Sequence, residues 1–303
     1  MTIKVFYTPK QAVDQGEQGF SGDILKSPSA MKPALIAEAL KSFPNVEIIE
    51  PNPVTRDDIK LAHDPNYVDR IMDLQEDNGF GNRSKEVAES LLYTNGAMYD
   101  AAKAATSTHP TCSLTAGFHH AGYDRWKGLG YFCTFNGLMV SAMKLRQNGL
   151  KRIQIIDADM HWGNGTDNIL MGLLVDDDEE AYKNISSISF GKHYHTPKDA
   201  DQYLEQLEDR GLIYEQLECY EPDIIIYQAG ADVHIDDPYG GVFTTEQILE
   251  RDRRMFKLAK ELGIPITWNL AGGYQIDEDG SCQKVIDIHL NTFKACQEVY
   301  GDA

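Results

Sequence analysis

The sequence has few cysteines and no long apolar run. Five cysteines are spread over 303 residues, and none of them stands in a CxxC pair. An odd number of scattered cysteines argues against a disulfide framework and favours reduced thiols, so a cytoplasmic location is expected. No stretch approaches the roughly 18 apolar residues of a membrane helix, so no membrane association is expected. The opening segment MTIKVFYTPK predicts a strand rather than a signal peptide.

Basic residues are also scarce. The chain has 28 lysines and arginines against 47 acidic residues, which gives a net charge of −19. Phosphate backbones would be repelled by this charge, so direct binding of nucleic acid is not expected. A cationic substrate would be attracted, although a charge that serves only solubility is an equally good interpretation.

Internal repeats, low-complexity segments and linker-like boundaries are missing as well. A single domain over residues 1–303 is therefore expected in preference to two smaller ones. Short apolar, β-branched runs alternate with longer amphipathic runs, which predicts βαβ crossovers and a parallel sheet. Strands are predicted at 3–8, 46–50, 112–116, 153–159, 185–190, 223–229 and 264–270. Helices are predicted near 30–43, 85–106, 136–148, 201–220, 245–262 and 282–300.

Polar motifs follow four of these predicted strands. In chain order they are GFHHAG, DADMH, QAGAD and AGGY. Ligands of open α/β sheets bind beyond the carboxyl ends of the strands, so these motifs are expected to meet at one edge. Four such motifs on one edge are hard to explain by packing alone.

The segment IIDADMHWGNGT is the most informative of these. Asp157, Asp159 and His161 recur at every second position, the side-chain period of a strand, so they are expected to point the same way. Together with Asp232, residues Asp159 and His161 form a set of two carboxylates and one imidazole, which suits Zn²⁺, Fe²⁺ or Mn²⁺. Three protein ligands leave a position open, as in catalytic zinc sites. The alternative is that the aspartates cap helices or loops and that His161 is a core histidine.

The adjacent histidines His119 and His120 suit proton transfer near neutral pH. Each imidazole needs a partner for its second nitrogen, and Asp157 is the stronger candidate, with Asn164 the weaker. An incidental pair on a surface loop is the alternative.

Tyr274, after two glycines, could donate a hydrogen bond to a substrate carbonyl, or could be an ordinary aromatic lid or core residue. Phe132, in GYFCTFNG, could line an apolar channel or belong to the core.

Together these segments resemble the histone deacetylase superfamily, which includes bacterial deacetylase-like and acetylpolyamine amidohydrolases. The motifs that carry the resemblance are AHDPNYVDRI, GFHHAG, GYFCTFNG, IIDADMHWGNGT, SISF, YEPDIIIYQAGAD, DDPYGG and AGGY. They agree in order and spacing from about residue 61 to residue 274. The asparagine of HWGNGT is similar to the class II branch, because other relatives carry aspartate there.

The resemblance implies an arginase–deacetylase α/β fold, with an eight-stranded parallel sheet flanked by helices on both faces. It also implies one Zn²⁺ per chain on Asp159, His161 and Asp232, with His120 as general base and then acid. His119 would be the electrostatic partner of His120, paired with Asp157, and Tyr274 would polarise the acyl oxygen. A structural K⁺ near the DADMH strand is implied, with Ser189 among its ligands. Residues assigned to substrate binding on this basis are Phe132, Gly130, Gly272 and Asp77; Asn164 and Ser189 would support the site.

Some segments depart from the family pattern. After SISF, relatives continue through an aromatic-Pro-Gly loop that forms a second channel wall, whereas this chain has GKHYHTPKDADQ. Tyr194 or His195 could substitute for that wall. The early His-Pro-Glu-x-Pro stretch is replaced by SPSAMKPAL, and Asp77 lies where relatives place an acidic residue that binds the substrate backbone. Because these regions select the substrate, acetyl-lysine, acetylpolyamines and other acylamines all remain open.

The leading hypothesis is a Zn²⁺-dependent amidohydrolase that uses a metal-bound water to remove an acyl group from an acylated lysine or polyamine. One rival is a ureohydrolase of the same fold with two Mn²⁺ ions, but glycine and asparagine at positions 163 and 164 argue against a second metal. The other rival is a non-catalytic protein that binds an acylated ligand. Acyl-chain preference and oligomeric state stay open.

Overall fold

A computed structural model describes residues 1–13, 31–127, 132–175 and 179–301. One sheet of seven parallel strands runs through it, in the order β2-β1-β3-β7-β6-β4-β5. The strands are β1 (Ile3–Phe6), β2 (Val46–Ile49), β3 (Thr111–Ser113), β4 (Ile153–Asp157), β5 (Ile185–Ser189), β6 (Ile224–Gly230) and β7 (Ile266–Ala271). The parallel α/β fold is confirmed. The expected eighth strand is not found among the described residues, so that count is corrected to seven.

Helices connect and cover these strands. They are α1 (Lys32–Leu40), α2 (Arg56–Ile59), α3 (Pro65–Met72), α4 (Lys85–Ala104), α5 (Gly137–Gln147), α6 (Asn164–Val175), α7 (Glu179–Asn184), α8 (Asp199–Gln206), α9 (Leu212–Tyr220), α10 (Thr245–Glu261) and α11 (Gln283–Tyr300). In the parts of the chain that the structure describes, none of them is both long and apolar enough to span a membrane.

The helix predicted over 201–220 is instead two helices, α8 and α9. The chain turns between them, with Arg210 in the left-handed region at φ 66°. A Cβ on Gly211 would lie 2.4 Å from the carbonyl oxygen of Glu205, so this position requires glycine. Helices α2, α3, α6 and α7 were not predicted. The first turn of α6 contains Asn164 and Gly165, two residue types that are typical of loops, so the sequence does not indicate a helix here.

Two apolar layers lie on opposite faces of the sheet. Along β4, Ile153 and Ile155 pack with α3, α4, α5 and α6, whereas Ile156 packs with the layer that includes α10 and α11. All five residues of β4 and all seven of β6 are buried, as expected for central strands covered on both faces. Helices therefore flank both faces, as predicted.

The strand order determines where the polar motifs meet. Strands β3, β7, β6 and β4 are consecutive neighbours in the sheet, and all run in the same direction. Their carboxyl ends therefore bring the four motifs to one edge.

Candidate metal centre and active site

Three candidate metal ligands converge beyond the ends of β4 and β6. The Nδ1 atom of His161 lies 2.9 Å from Oδ2 of Asp232 and 3.2 Å from Oδ1 of Asp159. One ligand atom from each of the three residues lies within 4.8 Å of the others. Both aspartates are buried, whereas the His161 side chain is 37% exposed. The cluster is therefore anchored in the interior and open on its histidine side.

The backbone around the cluster orients the carboxylates. The N–H of His161 donates to Oδ1 of Asp159 at 2.9 Å, and the N–H of Met160 donates to Oδ1 of Asp232 at 3.0 Å. A Cβ on Gly272 would lie 2.2 Å from Cγ of Asp232, and Gly272 has a φ of 50°. Only glycine fits here, so the start of the AGGY turn lies in close contact with the carboxylate of Asp232.

The charges of the cluster fit a divalent cation. Burial raises the pKa of Asp232 to about 7, and repulsion from Asp159 adds to the effect. Burial opposes ionisation of Asp159, but His119 and His161 hold its pKa below the usual range. Burial also opposes a charged His161, yet hydrogen bonds to the two aspartates raise its pKa to about 11. These carboxylates thus require a positive partner, and one imidazole with two carboxylates is a donor set for a divalent metal.

His119 is paired with Asp157. Its Nδ1 lies 2.7 Å from Oδ2 of Asp157, and its Nε2 lies 3.5 Å from Oδ1 of Asp159. Burial alone would lower the pKa of His119, but the charge of Asp157, followed by that of Asp159, raises it to about 9. The Asp157 carboxylate also accepts a hydrogen bond from Nε2 of Gln228 at 2.9 Å. His119 is therefore held as an imidazolium beside the candidate metal ligands.

His120 has a neutral partner instead. Its Nδ1 lies 2.8 Å from Oδ1 of Asn164, at the start of α6. Since an amide oxygen can only accept, Nδ1 carries the proton and Nε2 keeps its lone pair. Burial and repulsion from His119, whose ring centroid is 4.1 Å away, lower the pKa of His120 to about 3. The two histidines thus differ in charge state: His119 is a cation, and His120 is a neutral acceptor.

Tyr274 and Phe132 form an aromatic wall beside the cluster. Their rings stack with centroids 5.9 Å apart, and the Tyr274 ring lies 6.3 Å from that of His161. The backbone N–H of Tyr274 donates to Oδ2 of Asp237 at 2.7 Å, which fixes the turn that carries the phenol. Phe132 has a φ of 67°, a strained conformation for a side chain of its size. Its N–H donates to the carbonyl oxygen of Gly79 at 2.9 Å.

The supporting residue Ser189 lies beside this cluster. Its hydroxyl accepts from the N–H of Gly163 at 3.0 Å and lies 3.5 Å from Oδ2 of Asp157. The potassium site implied for this strand stays a prediction, as does the role of Ser189 in it. Gly130 lies outside the described residues.

The remaining predicted residues lie in other environments. The Asp77 carboxylate is 2.8 Å from Nε of Arg83 and 3.8 Å from Nζ of Lys127, so it has cationic partners in the protein itself. Tyr194 stacks on Phe190 with a centroid distance of 5.2 Å. The backbone N–H of His195 donates to Asp199 at 2.8 Å. The substrate role of Asp77 and the identity of the second channel wall stay predictions.

Three further residues of the site were not predicted. Gln228 holds Asp157, and Asp237 holds the Tyr274 backbone. The Tyr239 ring packs edge-on against Tyr274 at 5.4 Å. A polar residue inside the apolar run of β6 was the available signal for Gln228. The DDPYGG motif contains both Asp237 and Tyr239, but its residue types indicate a turn rather than a contact with AGGY.

Comparison with known proteins defines the class. The model of the histone deacetylase domain matches residues 27–190 and 176–290, so the chain belongs to the histone deacetylase family. Histone deacetylase 2 of Arabidopsis thaliana is 27% identical over 259 residues, which cover 75% of this chain and 63% of that protein. The acetoin utilization protein AcuC of Bacillus subtilis is 24% identical, over 78% of this chain and 69% of AcuC.

Solved structures agree with this fold. An acetylpolyamine aminohydrolase from Burkholderia pseudomallei superposes with a TM-score of 0.70 at 17% identity, covering 98% of this chain and 99% of that one. The HDA15 HD domain superposes with a TM-score of 0.72 at 16% identity, covering 99% and 95%. At these identities the likeness concerns the fold alone.

Proposed function

We propose that this protein is a Zn²⁺-dependent deacylase that hydrolyses the amide of an acylated amine, with acetyl-lysine as the first candidate. The observation that carries the proposal is the convergence of three groups at one sheet edge. These are the candidate ligand set of Asp159, His161 and Asp232, the pair of one cationic and one neutral histidine, and the Tyr274 phenol. Membership of the deacetylase family supports the same reaction class.

The protein's own residues would divide the proton chemistry between them. A bound Zn²⁺ would supply Lewis-acid polarisation and acidify a water molecule. His120, neutral and with its Nε2 lone pair intact, takes the proton of the attacking water and later delivers it to the leaving amine. His119, held as an imidazolium by Asp157, stabilises negative charge as it develops next to His120.

Tyr274 and Phe132 would act on the acyl group. Burial and the nearby carboxylates raise the pKa of Tyr274 well above 10, so its phenol stays protonated and can donate a hydrogen bond to the acyl oxygen. The stacked ring of Phe132 provides an apolar surface against the acyl chain and excludes water from it.

Replacing Tyr274 by phenylalanine tests this assignment. An oxyanion donor is worth about 10²–10³ in kcat, so Tyr274→Phe should lose that factor on an acetyl-lysine peptide while zinc content stays unchanged. Tyr239→Phe is the matched control, because its ring touches Tyr274 but lies outside the ligand set. Near-parental kcat in Tyr274→Phe, or an equal loss in Tyr239→Phe, would contradict the role.

An acetylpolyamine is the second candidate substrate, because a net charge of −19 attracts a polycation. A panel of acetylated peptides, acetylpolyamines and longer acyl-lysines separates the two. Absence of turnover on the whole panel with metal bound would favour a non-catalytic binder. Two Mn²⁺ ions per chain by elemental analysis would favour a ureohydrolase.

We also propose a cytoplasmic location, because all five cysteines are free thiols.

A further inference from the structure

Arg251 is a buried cation within a helix whose other arginines are partly exposed. It lies on α10, in the segment ERDRR, and its side chain is 1% exposed. Arg253 and Arg254 on the same helix are 36% and 25% exposed and pair with glutamates. Burying a charged side chain is costly unless it is fully partnered, so the partners of Arg251 indicate its purpose.

Two of those partners are backbone carbonyls next to the metal ligands. Nη1 of Arg251 donates to the carbonyl oxygen of Ala158 at 3.0 Å and to that of Gly230 at 2.8 Å. Ala158 directly precedes Asp159, and Gly230 lies two residues before Asp232. A single guanidinium nitrogen therefore joins the backbone segments that carry the two metal-ligating carboxylates.

The bridge lies just beyond the region where the strands hold each other. The ladder between β4 and β6 ends at the pair Asp157 and Gln228, followed by one bond from the Ala158 N–H to the Gln228 carbonyl at 3.0 Å. The register of the β4–β6 ladder does not extend past this pair. A Cβ on Gly230 would lie 2.4 Å from Cα of Asp159, so the segments are in close contact here.

The guanidinium is itself fixed in place. Its Nε and Nη2 contact Oδ1 of Asp252 at 2.9 and 2.8 Å. That carboxylate accepts from the Tyr227 hydroxyl at 2.5 Å and from the Thr292 hydroxyl at 2.6 Å. Since Tyr227 is on β6 and Thr292 is on α11, three elements orient the group that bridges the strand ends. This is a rigid support and not a flexible surface ion pair.

We infer that Arg251 is a positioning residue of the metal centre, which sets the spacing of Asp159 and Asp232 by tying the carbonyls of Ala158 and Gly230 together. The inference rests on the proposed metal site. Arg251 acts through the backbone and touches neither carboxylate, so its loss should change the metal affinity and ligand geometry while leaving the three ligands in the chain. Groups that hydrogen-bond directly to metal ligands typically contribute 10- to 100-fold in affinity, and the lower end of this range is expected for Arg251, which acts through the backbone.

The test measures binding of Zn²⁺ and Co²⁺ to the metal-free protein, by competition with a chromophoric chelator. The double variant Arg251→Met/Asp252→Asn removes the bridge without leaving an unpaired buried carboxylate. Arg251→Lys keeps a positive charge beside Asp252 and serves if the double variant does not fold. Arg254→Met is the control, because Arg254 also donates to a backbone carbonyl, that of Leu204 at 3.0 Å, and pairs with glutamates. None of these partners is adjacent in sequence to a candidate metal ligand. The absorption bands of bound Co²⁺ report the ligand geometry directly.

The Arg251 variants are expected to bind both ions about 10-fold more weakly and to shift the Co²⁺ bands, with the smaller change in Arg251→Lys. Arg254→Met should match the parent in affinity and spectrum, even where its unfolding temperature falls. Parental affinity and spectrum in a folded Arg251 variant would overturn the inference, as would an equal loss in Arg254→Met. If the parent binds neither ion, the proposed metal centre itself is wrong, which is a distinct result.

Discussion

His63 provides a pH-dependent test of how the loop of the GFHHAG motif is held. Its Nδ1 donates to the carbonyl oxygen of Gly122 at 2.8 Å, and its Nε2 accepts from the N–H of Asn136 at 2.9 Å. The ring thus joins the end of the GFHHAG motif to the N-cap of α5. Protonation of Nε2 would abolish the bond from Asn136, and burial lowers the pKa of His63 to about 4. The folded protein therefore requires a neutral His63.

The size and sign of the effect follow from the two pKa values. An unfolded histidine titrates near 6.5 and folded His63 near 4, and one pKa unit corresponds to 1.36 kcal/mol, so the difference is roughly 3 kcal/mol. Between these values the unfolded chain binds a proton that folded His63 does not. The stability that neutral His63 contributes to the folded protein is therefore fully present above about pH 6.5. It is lost as the pH falls to about 4.

The measurement is urea unfolding at about pH 7 and about pH 4.5 for the parent, His63→Gln and His109→Gln. His63→Gln should be less stable at neutral pH but should lose roughly 2 to 3 kcal/mol less than the parent on acidification. His109 is an exposed histidine, so His109→Gln should keep the parental pH dependence. The low pKa of His120 is common to all three proteins and cancels in the comparison. Identical pH dependence of His63→Gln and the parent would refute the reasoning.

Two further pairs of substitutions test which residues of the site are needed for metal binding. Asp159→Ala removes a ligand and should empty the site, whereas Asp157→Asn should keep the metal by elemental analysis and lower kcat by about 10² or more, because it removes the carboxylate partner of His119. If Asp157→Asn lost the metal and Asp159→Ala kept it, the roles of the two aspartates would be the reverse of those proposed. Gly272→Ala should weaken metal binding, since its Cβ would lie 2.2 Å from Cγ of Asp232. Gly263→Ala has a similarly positive φ of 68° with open space around it, so it should cost only about 1 kcal/mol of stability and leave metal binding intact. Equal metal affinity in the two glycine variants would show that the close approach is unimportant.

The central part of the site was open to prediction because its residues lie at strand ends. An apolar strand that is followed by Asp157, Asp159 and His161 predicts a binding site at the carboxyl edge of the sheet. Because the sheet is parallel, Asp232 is expected at the same edge. The structure refines this: β4 ends at Asp157, two residues earlier than predicted, and the chain then turns. Asp157 and Asp159 still face a common neighbour, since His119 contacts one with each ring nitrogen.

Residues that act across long sequence separations were not predictable in the same way. Gln228 reaches Asp157 from a neighbouring strand, and Asp237 holds Tyr274 from a turn 37 residues away. Arg251 lies in a charged helical segment, and such segments are usually exposed to solvent. The charge pattern therefore does not predict that Arg251 is buried. Local periodicity determines which face of an element a residue occupies, but not which backbone carbonyl of another element it reaches.

The position of the acidic residues limits what the net charge can do. In the described ranges the buried carboxylates are Asp157, Asp159, Asp232, Asp237 and Asp252. The other acidic side chains of the described residues are at least partly exposed, so the charge of −19 is mainly a property of the surface. A surface charge acts at long range and is screened over about 8 Å at physiological salt. It would therefore speed the approach of a cationic substrate, whereas the choice of acyl chain would depend on the aromatic wall of Phe132 and Tyr274.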